Sequence, residues 1–136
     1  YVHLASTILA AIAGISLLVS ALMIIVTMYM SVSERTKEIG ILRALGERKK
    51  DIRRLFTSES IFIGLFSAIL ALGIVAVVAL ILNHALYGLI KYNIVQITVG
   101  NVIFAIVVAV VISFIAALLP ARHAAKLNPI DALAAD

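Results

Sequence analysis

The sequence predicts an all-α membrane protein with three transmembrane helices. Of its 136 residues, 64% are hydrophobic and only 13% are charged, whereas soluble domains are about half apolar and a quarter charged. The charged residues fall in short clusters that separate three long uncharged stretches. A bilayer is therefore the expected solvent of this chain, and each uncharged stretch is an expected span.

Each uncharged stretch is long enough for a helix to cross the hydrocarbon core, which takes about 20 apolar residues. The expected spans cover about residues 4–32, 60–82 and 99–119. The first stretch exceeds that length, so we expect its helix to tilt or to project from the bilayer. We treat residues 1–136 as a single transmembrane domain.

The distribution of Lys and Arg predicts the orientation, because cations are disfavoured in segments that must be translocated. The segment after the second span carries only Lys91, whereas eight cations lie between the first two spans. They are Arg35, Lys37, Arg43, Arg48, Lys49, Lys50, Arg53 and Arg54. We therefore expect residues 33–59 and the tail 120–136 in the cytoplasm, and the N-terminus and residues 83–98 outside. With neither an initial Met nor a signal peptide, the chain is expected to be part of a longer protein.

The cytoplasmic connection, residues 33–59, begins with a helix that has a mixed acidic and apolar face. At 100° per residue, five side chains share one side of this helix: Glu34, Glu38, Ile41, Leu42 and Leu45. Anionic lipid would repel acids within an apolar stripe, so docking onto a protein explains this face better than docking onto a membrane. The alternative is an ordinary solvated helix whose acids point away from the apolar side chains.

Two glycines divide the same connection. Gly40 lies inside the helical pattern at a cost of about 1 kcal/mol relative to alanine, which predicts a close approach of another backbone. Gly46 follows the last apolar position, where a left-handed residue would end the helix before GERKK starts another. We therefore expect a helix-turn-helix between the first two spans.

Glu59 lies in the apolar stripe of the second helix, where that helix enters the membrane. A carboxylate there is costly unless it is paired, so we expect a cation or a helix N-terminus as its partner. The alternative is a side chain that reaches back to the interface. Lys50, Arg53 and Arg54 lie on the opposite side of this helix, where we expect contacts with anionic lipid and not with nucleic acid.

Small residues at every fourth position of the third span form a smooth stripe that predicts packing against another helix. They are Ala105, Ala109, Ser113 and Ala117. The alternative explanation is the general abundance of alanine in spans. Downstream, Asn128, Pro129 and Asp131 supply a capping side chain, a first-position proline and a first-turn acid, which predict a short C-terminal helix in the cytoplasm.

The chain carries no motif for catalysis. It lacks a GxxxxGK[ST] phosphate-binding loop, its three histidines are too dispersed for a metal site, and no serine has the partners of a triad. The spans also lack the ionisable residues that ion-coupled carriers and channels place at membrane depth. We therefore expect no enzyme active site, no metal site and no cofactor bound by this chain.

Two separated motifs resemble the FtsX-like, or MacB-like, ABC transporter permease domain. The first motif is SERTKEIGILRALGERKKDIRRLFTSES, in which Gly40, Arg43, Gly46 and Glu59 match the family pattern. The second is LLPARHAAKLNPIDALAAD, where Ala134 departs from the pattern because a basic residue often follows the Ala-Leu pair. The resemblance covers nearly the whole chain from about Ala5 onward.

The resemblance implies a permease in a bacterial inner membrane, with four spans of which this chain holds the last three. It implies a homo- or heterodimer of permease chains, bound to ABC ATP-binding subunits or domains that hold ATP and Mg. Residues 33–59 would contain the coupling helix. Relatives serve drug efflux or transmit ATP-driven motion outward for lipoprotein release, peptide resistance or control of cell-wall hydrolases, some with an extracytoplasmic partner protein.

Two functional hypotheses follow. The first is a permease subunit that couples ATP hydrolysis by a partner ATPase to export or to mechanical signalling across the membrane. The second is a non-transporting membrane scaffold or regulatory subunit that anchors partners through the same helices.

Overall fold

The computed structural model describes residues 1–90 and 95–134, and this part of the chain contains helices and no strands. The helices follow in order as α1 (Val2–Glu34), α2 (Thr36–Ala44), α3 (Lys49–Ile90), α4 (Val99–Ala125) and α5 (Pro129–Ala134). Three of them, α1, α3 and α4, are long and apolar enough to cross a membrane. The all-α fold with three membrane-spanning helices is confirmed. Lys91, in the segment expected outside, lies beyond the described residues.

The spanning helices are longer than the uncharged stretches of the sequence. With 42 residues, α3 measures about 63 Å at a rise of 1.5 Å per residue, twice the roughly 30 Å of the hydrocarbon core. It therefore joins the second helix of residues 33–59 to the second span without a break. Likewise α4 continues through Pro120 to Ala125. Proline is tolerated there because neighbouring helices pack around it, and Pro120 is buried.

The hydrophobic core lies at one end of the bundle, here called the charged end, where α1 and α4 finish and α3 begins. Seven buried side chains from four helices form this core: Met28, Val32, Ile39, Ile52, Phe56, Ala121 and Ala124. Phe56 is its largest fully buried side chain. The core holds α2 beside the ends of the spanning helices.

A row of small residues lets α3 and α4 pack closely inside the membrane region. A Cβ added to Gly64 would lie 2.7 Å from the Cβ of Ser113 and 3.2 Å from the carbonyl oxygen of Ala109. On α3 every fourth residue from the charged end faces inward: Ile52, Phe56, Ser60, Gly64 and Ala68 are all buried. In lipid, where water does not drive helices together, such close backbone approach is what holds them.

The opposite end of the bundle is more open. Residues 1–20 of α1 are all exposed in the described chain, and a Cβ at Gly14 would meet no heavy atom within 4 Å. Asn83 fixes the segment that enters α4, because its side-chain amide donates to the Val95 carbonyl (2.9 Å) and its oxygen accepts from the Val95 N–H (3.1 Å). This apolar length of α1 is surface that lipid or another helix must cover.

Candidate functional site

The candidate site is here called the α2 face and consists of five residues: Glu34 at the end of α1, Glu38, Ile41 and Leu42 of α2, and Leu45 at the C-terminal cap of α2. All five side chains are exposed, with relative exposures of 46% for Ile41, 37% for Leu42 and 79% for Leu45. The opposite side of α2 carries Ile39 and Gly40, which are buried. All five predicted residues are thus accessible in the described chain, on the segment that runs from the end of α1 to the end of α2.

The α2 face ends in a tight turn. Gly46 has a φ of 100°, which is in the left-handed region that glycine adopts without steric cost. Its N–H donates to the Arg43 carbonyl (3.2 Å), and the Glu47 N–H donates to the Leu42 carbonyl (3.0 Å). These two hydrogen bonds are those of a Schellman motif. The expected helix stop at Gly46 is confirmed, and α3 starts three residues later at Lys49.

The back of α2 rests on the C-terminal helix α5. A Cβ at position 40 would lie 2.7 Å from the Cβ of Ala132, so only glycine leaves room for α5 at this spacing. The start of α5 is capped as expected, because the Asn128 side-chain oxygen accepts the Ile130 N–H (3.3 Å) and Pro129 is the first helical residue. The close approach predicted for Gly40 is therefore a contact between α2 and α5.

Arg35 connects α2 to α3. It is the single residue between α1 and α2, and its Nη1 lies 3.4 Å from Glu59 Oε2 while its Nε lies 3.3 Å from Glu38 Oε2. Its guanidinium carbon also lies 5.7 Å from the ring centroid of Phe56, within the range of a cation–π contact. Glu59 thus has the cationic partner expected for it. Helical periodicity did not identify Arg35 as the partner of Glu59, because Arg35 lies between α1 and α2 whereas Glu59 lies on α3.

Arg43 supports the end of α2 by a hydrogen bond within the same segment. Its Nη1 donates to the Glu47 carbonyl (3.1 Å) across the turn. Its Nε is buried and has no hydrogen-bond partner among the described residues. The side chain therefore braces the Gly46 turn from inside the helix pair and does not belong to the α2 face.

The predicted packing stripe of α4 is buried along only part of its length. Ser113 and Ala117 are 2% and 0% exposed, Ala109 is partly buried and Ala105 is exposed. The Ser113 hydroxyl donates to the Ala109 carbonyl (2.8 Å), so its buried oxygen is satisfied. The stripe packs against α3 near the charged end, and Ala105 at its other end is exposed.

The sequence of this chain matches a known protein family. The profile of the FtsX-like permease C-terminal family matches residues 10–129, which include most of α1, all of α2, α3 and α4, and the first residue of α5. The chain belongs to the FtsX-like permease family. The resemblance read from the two sequence motifs is thereby confirmed.

Individual relatives agree with the family. The macrolide export ATP-binding/permease protein MacB of Neisseria gonorrhoeae is 38% identical over 128 residues, which cover 94% of this chain and 19% of MacB. An uncharacterized ABC transporter permease of Methanocaldococcus jannaschii is 42% identical over 90% of this chain and 31% of its own length. A probable syringafactin export ATP-binding/permease protein of Pseudomonas syringae is 34% identical over 94% of this chain. The chain thus spans less than a third of the length of these relatives.

Proposed function

We propose that this FtsX-like permease domain is the membrane part of an ABC transporter, and that the α2 face docks onto its ATP-binding subunit or domain. The observation that carries the proposal is the difference in burial between the two sides of α2. One side is held by α5 and the core, whereas the opposite side presents three exposed apolar residues flanked by acids. The names of the relatives, which pair ATP-binding with permease functions, support the same assignment.

The proposed orientation puts the charged end in the cytoplasm. The turn between α2 and α3 and the first turns of α3 carry five of the eleven Lys and Arg residues of the chain. Arg122 and Lys126 lie at the end of α4, at the same end of the bundle. Retention of cations on the cytoplasmic side determines the topology of most multi-pass proteins. The α2 face then lies on the side of the membrane where ATP is available.

The proposed mechanism is transmission of movement through packed contacts. Arg35 ties the junction of α1 and α2 to Glu59 of α3, and the core side chain Ile39 packs with Phe56 and Ala121. An ATPase that pulls on α2 would therefore move the charged ends of all three spanning helices together. Whether that motion drives export or a mechanical signal depends on the part of the protein outside this chain.

A functional test compares substitutions on the α2 face. Leu42→Asp and Leu45→Asp would each bury an unpaired carboxylate in the interface, and such burial costs several kcal/mol. Both variants should insert normally, since the two side chains are exposed, yet lose most co-purification of the ATP-binding subunit and most stimulation of ATP turnover. Leu42→Met keeps an apolar side chain of similar volume and is the matched control.

The alternative function, a non-transporting scaffold, gives a different pattern. A scaffold would bind its partners without changing ATP turnover, so wild type and Leu42→Met would co-purify with the ATPase but leave its rate unchanged. Wild-type binding and stimulation in both aspartate variants would instead show that the α2 face is not the docking surface.

A further inference from the structure

A strongly basic groove runs between α3 and α4 on the side of the bundle away from Arg35 and Glu59. Two adjoining recesses of about 590 and 510 Å³ form it. Three cations line both recesses: Lys50, Arg53 and Arg122. Arg54 lines the larger recess only, and Lys49 and Lys126 line the smaller one only. Among the residues that the structure describes, no acid lines either recess.

None of these six cations has an ion-pair partner within 4 Å in the described chain, because both ion pairs found there belong to Arg35. Among the acids of this end, Glu38 and Glu59 bind Arg35 and Glu34 is on the α2 face, whereas Glu47 and Asp51 lie close to the groove in sequence but form no ion pair with its cations. Six cations that line one groove repel one another. Such a cluster is stabilised by an anion that all of them approach.

The side chains that line the groove change from charged to apolar along the helix axes. At the charged end its walls are the cations, and about one to three turns deeper they become apolar with Ile61, Phe114 and Leu118. Between these levels lie Thr57 and Ser58, whose hydroxyls donate to the Arg53 and Leu55 carbonyls (2.8 Å each) and so present only weakly polar surface. At 1.5 Å per residue, Lys50 and Ile61 are about 16 Å apart along α3.

The order of cationic, hydroxyl-bearing and apolar side chains along the groove matches one occupant, a phospholipid aligned with the spanning helices. Its phosphate would meet the arginines, its ester region the hydroxyl level, and its acyl chains the apolar wall. A free phosphate would satisfy the cations but leave the apolar wall bare, and a protein segment would bring no acyl chains into the hydrocarbon. Basic pockets between spanning helices at the cytoplasmic side are a known setting for anionic lipid headgroups.

We propose that the groove between α3 and α4 is a binding site for an anionic glycerophospholipid, with Arg53 and Arg122 as the principal headgroup ligands. These two residues come from different helices, so a bound phosphate would clamp the charged ends of α3 and α4 together. The site goes beyond general attraction of cations to a membrane, because it needs residues of both helices and a hydrocarbon-lined extension.

The test uses the full-length permease purified in detergent and titrated with dioleoyl phosphatidylglycerol or dioleoyl phosphatidylcholine, with the melting temperature as readout. Wild type should bind the anionic lipid at least tenfold more tightly than the zwitterionic lipid, since each cation near the headgroups contributes about 1 kcal/mol. The double variant Arg53→Gln/Arg122→Gln should lose this preference. Lys37→Gln/Arg48→Gln removes the same charge outside the groove and should retain it.

Three results would overturn the proposal. Wild type could show no preference between the two lipids, or both double variants could lose the preference equally, which would indicate a diffuse surface potential. Protection by inorganic phosphate as strong as that by phosphatidylglycerol would indicate a site for a free anion. None of these results bears on ATPase docking, so the lipid site and the proposed function fail independently.

Discussion

Gly40 of α2 and Ala132 of α5 pack so closely that a Cβ at position 40 would lie 2.7 Å from the Cβ of Ala132. Real Cβ atoms keep a larger separation, so any side chain at Gly40 must push α5 away. Because α5 is one and a half turns long, it has little stability of its own. Its position depends on this contact, and the back of α2 depends on α5 in turn.

The first prediction is a compensating pair at this contact. Gly40→Ala should destabilise the docking of α5 by about 1–3 kcal/mol through overpacking, partly offset by the gain of up to about 1 kcal/mol in helix propensity. Gly40→Ala/Ala132→Gly restores the space and should recover most of the loss. Protease protection of the C-terminal segment measures the docking, and equal exposure of the single and double variants would contradict the direct contact.

Local signals in the sequence predicted the features that are built within a few residues. The stop at Gly46 and the cap at Asn128 each depend on hydrogen bonds spanning five residues or fewer, so the residue types alone determine them. The exposed α2 face follows equally from helical periodicity. The role of Gly40 was predicted only in part. The free-energy cost of a glycine inside a helix predicted a close approach of another backbone, but nothing near Gly40 in the chain identifies Ala132 as the partner.

Features set by two helices could not be predicted in the same way. Periodicity makes Ala105 and Ser113 equivalent, yet Ala105 is exposed and Ser113 is buried, because Ser113 packs closely against Gly64 of α3. The pairing of Arg35 with Glu59 likewise depends on the approach of α1 to α3. The sequence of α3 does contain one pattern related to its packing. The five residues that face inward are spaced four apart: Ile52, Phe56, Ser60, Gly64 and Ala68.

The second prediction concerns the shared arginine. Arg35 pairs with Glu59 and Glu38 and lies over Phe56, so Arg35→Ala leaves two carboxylates unpaired and should destabilise the protein more than Glu59→Ala. Half-exposed ion pairs contribute about 1 kcal/mol, and Glu59→Gln, which can still accept a hydrogen bond, should fall between Glu59→Ala and wild type. Thermal inactivation of the purified protein ranks the variants, and a smaller loss for Arg35→Ala than for Glu59→Ala would refute the shared role.

The third prediction compares two glycines of α3. A Cβ at Gly64 would collide with Ser113, whereas a Cβ at Gly73 would meet nothing within 4 Å. Gly64→Ala should therefore destabilise the α3–α4 pair by about 1–3 kcal/mol, and Gly73→Ala should be neutral or stabilising by up to about 1 kcal/mol. The shift in melting temperature in detergent separates them, and the same shift for both would show that α3 and α4 do not meet at Gly64.

The last prediction tests the orientation. Glu47 in the turn before α3 and Gln96 before α4 are exposed positions at opposite ends of the bundle, and changing them leaves every Lys and Arg in place. Because positive charge on the α2–α3 segment opposes translocation, Glu47→Cys should react with a membrane-impermeant maleimide only after the cells are opened. Gln96→Cys should react in intact cells.

This chain has no cysteine of its own, so any label on it reports the introduced residue once cysteines elsewhere in the full-length protein are replaced. Both variants keep every Lys and Arg, and the experiment therefore does not alter the distribution of cations on which the predicted orientation rests. Labelling of Glu47→Cys in intact cells, with Gln96→Cys protected, would show that the bundle has the opposite orientation in the membrane. The α2 face would then lie outside the cell, out of reach of an ATPase, and the docking proposal would fail with it.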